Sequence, residues 1–234
     1  MSSSDDDGFC QPTDDNIAII EPELDDFSNP CRLKKLVEDN PEIFNKLTGL
    51  VDKVGLNKEV GYVMTESTNG SFDFTYIEGE EDEHRIDFSI MGNIAGVIHT
   101  HFEGGLSVPS DGDIESFYQA YPNMENAKTF FFAIVTSQET SYLLNIKDKL
   151  KFESFGAKYL ADANSGFSRF FAESYRLAVS NSNSIVDNEK NLVELLSHYD
   201  SGIALVRGDI SDFNHWTRLT QNIYDGSIKE KDCK

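Results

Sequence analysis

The run Ile94-Ala95-Gly96-Val97-Ile98 is almost continuously apolar and leads directly into His99-Thr100-His101. An apolar stretch without polar alternation is what a central strand needs when both of its faces are covered. Such a strand requires a layer above it and a layer below it, so the run points to a sheet packed with helices. Side chains two apart on a strand share a face. His99 and His101 should therefore present both imidazoles to one side, at the end of a buried strand where a cleft can open.

The flanking pattern agrees with that reading. Upstream, 59–65, 71–77 and 85–90 are short apolar or alternating runs expected to be strands. Asn69-Gly70 is a hairpin turn between the first two, and the acidic stretch 78–83 is a solvated loop before the third. Before them, Asn40 is an expected N-cap and Pro41 suits a first helical position. Ile43, Phe44, Leu47, Leu50, Val51 and Val54 follow on one face, and Gly55 is the expected stop. Downstream, a helix is expected over 111–121, strands over 129–136 and 141–146, and helices over about 147–161, 167–179 and 188–199. A short strand at 202–206 then precedes a tail anchored by Trp216. The expected fold class is α/β, with a central mixed sheet and extra C-terminal helices. Three stretches follow: an acidic tail or linker at 1–31, a domain at 32–146 that holds the histidines, and a helical C-terminal extension at 147–234 packed on it.

Charge narrows the function classes. Lys and Arg number 20 against 41 Asp and Glu, for a net charge of −21. A surface this acidic repels phosphate backbones, so nucleic acid is not an expected partner. The densest basic cluster, Arg32-Leu33-Lys34-Lys35, is followed closely by Glu38 and Asp39, and Lys147–Lys151 is broken by Asp148. No apolar run approaches the roughly 18–20 residues of a membrane span, so membrane insertion is not expected. Met1–Asp7 is polar and acidic rather than a signal segment. A cytoplasmic protein and an exported one that has lost its signal both fit. Cys10, Cys31 and Cys233 lack metal-site spacing; either two of the three pair in an exported protein, Cys31 with Cys233 near the ends of the domain being one such pair, or all three are thiols.

Residues 96–114 carry the chemistry. After His101, a loop with Gly104 and Gly105 lets the chain turn back and delivers Asp113 to the first turn of the next helix. The helix dipole there favours an ionised carboxylate. Two neutral imidazoles and one carboxylate suit Zn2+ and leave one position for water, as in a catalytic rather than a structural site. Ser110-x-x-Asp113 is also a capping box, and only the upstream His-x-His pair turns it towards a ligand. Asp111 is the competing ligand; His84, His198 and His215 read as surface or helix-face residues.

His99-Thr100-His101 followed by Ser110-Asp111-Gly112-Asp113 resembles the JAMM (MPN-type) metalloprotease motif. That family also places a catalytic Glu before an apolar residue and a Gly on an earlier strand, and Glu59-Val60-Gly61 fits. Glu66, Glu78 and Glu103 are the alternatives for that role. The match covers about 59–146 and departs from the family in two places. The loop before Ser110 is one residue longer than usual, and Phe102 stands where many members have Pro. The resemblance implies a cytidine-deaminase-like α/β sandwich and a zinc-dependent hydrolase of a peptide or isopeptide bond. In that reading His99, His101 and Asp113 hold the zinc, Glu59 is the general base, and Ser110 donates a hydrogen bond to the oxyanion. The implied partner is a peptide or protein substrate. The rival readings are a non-catalytic scaffold of the same fold and an amidohydrolase acting on a cell-wall peptide or small molecule.

Overall fold

The computed structural model describes residues 29, 31–88, 93–124, 126, 129–222 and 224–233. The acidic stretch through residue 28, with Ile19 and Ile20, lies outside them, as do Pro30 and residues 89–92. Among the described residues the chain forms one mixed sheet of eight strands and six α-helices.

The first two helices are α1 (Arg32–Asp39) and α2 (Pro41–Val51). Pro41 opens α2 as expected, but Asn40 caps nothing with its side chain; its amide donates instead to the Leu36 carbonyl at 2.8 Å. The helix stops at Val51, before Gly55. Then come β1 (Val60–Glu66), β2 (Phe72–Glu78) and β3 (Ile94–His101). Arg85–Phe88, expected to begin a further strand, is irregular; Phe88 packs its ring 6.1 Å from Phe132. The chain continues through α3 (Asp111–Ala120), β4 (Phe131–Thr136), β5 (Ser141–Ile146), α4 (Lys149–Tyr159), α5 (Gly166–Ala178) and α6 (Ile185–His198).

The C-terminal stretch holds its three expected helices and the expected strand near 202–206, but two further strands follow in place of a tail. β6 (Ile203–Gly208), β7 (Trp216–Gln221) and β8 (Ile228–Asp232) extend the same sheet, in the order β2-β1-β3-β4-β5-β6-β7-β8. Trp216, expected to anchor a tail, instead starts β7 beside Gly208, where an added Cβ would come within 2.6 Å of the indole. β8 is an outer strand whose Lys, Glu and Asp side chains face solvent. Such charges discourage edge pairing and also hide the strand from an apolar-periodicity reading.

Every residue of β3 is buried, as its composition requires. Two apolar clusters lie on opposite faces of the sheet. On β4, Phe132 and Ile134 pack with α3–α6, and Phe131, Ala133 and Val135 pack with α1 and α2. The sheet is thus a middle layer between helices. Pairing is antiparallel everywhere except between β3 and β4, which run parallel and are joined through α3. That crossover sets the start of α3 beside the end of β3. A disulfide joins Cys31 to Cys233, with their Cα atoms 5.2 Å apart.

Candidate metal centre

Val97, His99 and His101 alternate on β3 and face the α3 side, while Ile98 packs with the opposite cluster. Thr100 also points away, and its hydroxyl accepts from the Val60 amide at 3.0 Å, which ties the end of β3 to the start of β1. Gly61 pairs with His99 in the β1–β3 register. A Cβ on Gly61 would lie 2.3 Å from the Ile98 carbonyl and 2.8 Å from His99 Cβ, so only glycine lets the strands approach this closely. Carried back two residues, the same register sets Glu59 level with His101.

The loop after His101 turns at Gly104, whose φ of +84° suits glycine, and reaches α3 with Ser110 as N-cap. The capping box is present in full. The Ser110 hydroxyl accepts from the Asp113 amide at 3.0 Å, and the Ser110 amide donates to Asp113 Oδ2 at 2.6 Å. The capping and ligand readings of Asp113 turn out to be compatible, because one side chain serves both. Asp113 Oδ2 also lies 3.1 Å from His101 Nε2, and Oδ1 lies 2.9 Å from His99 Nε2.

One ligand atom from each of His99, His101 and Asp113 lies within 4.8 Å of the others, and all three residues are buried. His99, 1% exposed, is the telling member. Its Nε2 has only the 2.9 Å contact with Asp113, which falls short of hydrogen-bond geometry, and its Nδ1 has no partner among the described residues. Leaving a buried polar atom unsatisfied costs about 1–3 kcal/mol, and coordination of a cation at Nε2 would relieve that for one of the two nitrogens. Ligand atoms about 2.0–2.1 Å from a tetrahedral ion sit about 3.3 Å from one another, close to the two His–Asp contacts here. His101 Nδ1 lies 2.9 Å from the Leu106 carbonyl, so it donates there and turns Nε2 towards Asp113. The residues fit a divalent metal ion.

Burial opposes charge on His101, but the adjacent Asp113 outweighs it and lifts the imidazole from 6.5 to about 9. Burial likewise pushes the Asp113 carboxyl up, yet His99 and His101 hold it well below its ordinary 3.8.

A cavity of about 520 Å³ is lined by His99, His101, Asp113, Glu59 and Ser110 together. Burial pushes the Glu59 carboxyl above its ordinary range; the two imidazoles counter this and Asp113 adds to it. Glu59 is 5% exposed. The Ser110 hydroxyl also lines the cavity but donates to Asp113 Oδ2 at 2.8 Å, so in this arrangement it orients that carboxylate. Asp111 lies one residue into α3, does not line this cavity, and faces Arg176 at 3.8 Å. His84, expected as a surface residue, is exposed but stacks on Phe102, centroids 4.0 Å apart, at the cavity rim. His198 and His215 do not line it.

Several residues that hold the loop carry no sequence signal of their own. Tyr175 of α5, 1% exposed, donates to the Pro109 carbonyl at 2.5 Å. Asn188 of α6 donates to the Ser107 hydroxyl at 3.1 Å, and its carbonyl oxygen accepts from the Ser180 amide. Thr140 donates to the Ser107 carbonyl at 2.8 Å, and Asn181 reaches the Gly104 carbonyl. The C-terminal helices therefore brace the segment that brings Asp113 to the histidines. No protein-family model, curated protein or solved structure matches the chain.

Proposed function

We propose that the chain is a zinc-dependent hydrolase of an amide bond, peptide or isopeptide, of the JAMM type and on a cytidine-deaminase-like variant of the α/β sandwich. The observation that carries this is the convergence of one ligand atom each from buried His99, His101 and Asp113, with Glu59 buried in the same cavity. A buried His-His-Asp set in an open cavity suits catalysis better than a closed structural site, which would have four protein ligands.

His99, His101 and Asp113 would hold Zn2+, which when bound acidifies water and polarises a carbonyl. Glu59 takes a proton from the attacking water as a C–O bond forms at the amide carbon. It returns that proton to the departing nitrogen as the C–N bond breaks, leaving a carboxylic acid and an amine. The raised Glu59 carboxyl suits both halves of that exchange, because a base that also serves as acid works best when its pKa lies nearer the working pH. Ser110 fixes Asp113 through its amide and hydroxyl, and Leu106 fixes the orientation of His101.

The test is a zinc titration of the purified protein combined with a mixed peptide library read by mass spectrometry. Stoichiometric zinc and zinc-dependent cleavage support the proposal. Stoichiometric zinc without cleavage of any peptide or isopeptide would leave a metal-binding scaffold, and the hydrolase reading would be abandoned.

A further inference from the structure

A second cavity, about 350 Å³, adjoins the first, and Gly112 and Glu115 line both. Gly112 has no side chain, and a Cβ there would meet only Ser110 Oγ, at 3.5 Å. At Gly112 the boundary between the cavities is bare backbone, with the Glu115 side chain to one side, and an extended peptide can pass over the glycine.

The second cavity differs from the first in chemistry. Tyr159, Leu160 and Phe171 give it an apolar wall, with Leu160 and Phe171 both belonging to the core. Arg169 and Arg176 stand on the α5 side, two helical turns apart and so on one flank. Arg176 is 75% exposed and meets Asp111 only at 3.8 Å. Among the described residues, no carboxylate lies within ion-pairing reach of Arg169. Two guanidinium groups beside an apolar recess match a planar carboxylate carried on an apolar residue. Asp111 and Glu115 line the α3 wall; because Asp111 already meets Arg176 at 3.8 Å, an incoming carboxylate shares Arg176 with it and leans chiefly on Arg169.

We propose that the second cavity is a subsite for the C-terminal residue of a peptide, with an apolar side chain and a free terminal carboxylate. The side chain enters between Tyr159, Leu160 and Phe171, and Arg169 and Arg176 take the carboxylate. The backbone crosses Gly112 towards His99, His101 and Asp113. As a substrate subsite this rests on the hydrolase reading; as a binding site it can be measured without turnover.

The experiment uses the zinc-loaded full chain carrying Glu59→Gln, titrated calorimetrically with an acetylated tripeptide ending in phenylalanine. The peptide is supplied as the free acid and as its C-terminal amide. The acid should bind about tenfold tighter than the amide, the size expected for a charge-assisted pair. Arg169→Ala with Arg176→Ala should abolish the preference without changing zinc content, while Arg169→Lys with Arg176 intact should keep part of it. Equal affinity for acid and amide, or a preference that survives loss of both arginines, overturns the subsite. Cleavage by the unsubstituted protein is read separately: no turnover with the acid preference intact counts against the hydrolase, not against the subsite.

Discussion

The Tyr175 phenol donates to the carbonyl of Pro109 at 2.5 Å and so ties α5 to the residue just before Ser110. The bond is buried, and a helix far along the chain thereby helps aim Asp113 at the histidines. Tyr175→Phe leaves the Pro109 carbonyl without its partner, at a cost of about 1–3 kcal/mol. Zinc affinity should fall by about tenfold, the lower end for loss of a group that orients a ligand. A competition titration with a fluorescent chelator reads the change, and an unaltered affinity would show that the loop holds itself.

Glu59→Gln should leave zinc content intact and lower peptide hydrolysis by about 100- to 10,000-fold, because an amide cannot carry the proton. His101→Ala should lose both metal and hydrolysis. Metal analysis beside the rate assay separates the two variants; an undiminished rate in Glu59→Gln would remove that residue from the mechanism.

The metal-free protein should have a distinctive pH response. The folded-state pKa of His101 is raised from 6.5 to about 9, so its contribution to stability is complete below 6.5 and disappears as pH rises through 9. The Glu59 carboxyl is also raised, and its contribution likewise falls away with rising pH. Asp113 is lowered, so its contribution is present above 3.8 and lost in strong acid. Melting temperature measured with a chelator present should therefore decline between pH 6.5 and about 9. Saturating zinc should remove the decline, because the cation takes the place of the His101 proton. Parallel curves with and without zinc would contradict this.

Gly61→Ala places a methyl group 2.3 Å from the Ile98 carbonyl and 2.8 Å from His99 Cβ. The strands must part, at a cost of about 1–3 kcal/mol, and His99 moves with them. Urea unfolding should show the loss of stability, and zinc affinity should drop in the same variant. This gives the glycine after Glu59-Val60 a physical reason.

These relationships show what the amino-acid pattern could disclose. His99 and His101 are two apart on an apolar run, and Ser110 and Asp113 are three apart at a helix start; both are local spacings, and each group lies where its spacing implies. Glu59, with Gly61 two residues on, was singled out only through the family resemblance, with Glu66, Glu78 and Glu103 as alternatives. Tyr175 and Asn188 were not legible at all, because a buried side chain that bonds to a distant loop leaves no periodic trace. β7 and β8 escaped for a related reason: one mixes Thr and Arg with its two buried residues, and the other is nearly all charge. Arg85–Phe88 erred in the other direction, since alternation suggested a strand where the chain lines a cavity.

The Cys31–Cys233 bond makes most of this polypeptide a covalent ring, its two joined members separated by 202 in sequence number. A protease that nicks the exposed acidic segment around Glu81 and Asp82 therefore releases nothing. The two pieces stay linked and migrate together until a thiol reductant separates them. A preparation judged intact on a non-reducing gel can thus already be cut beside its own cavity.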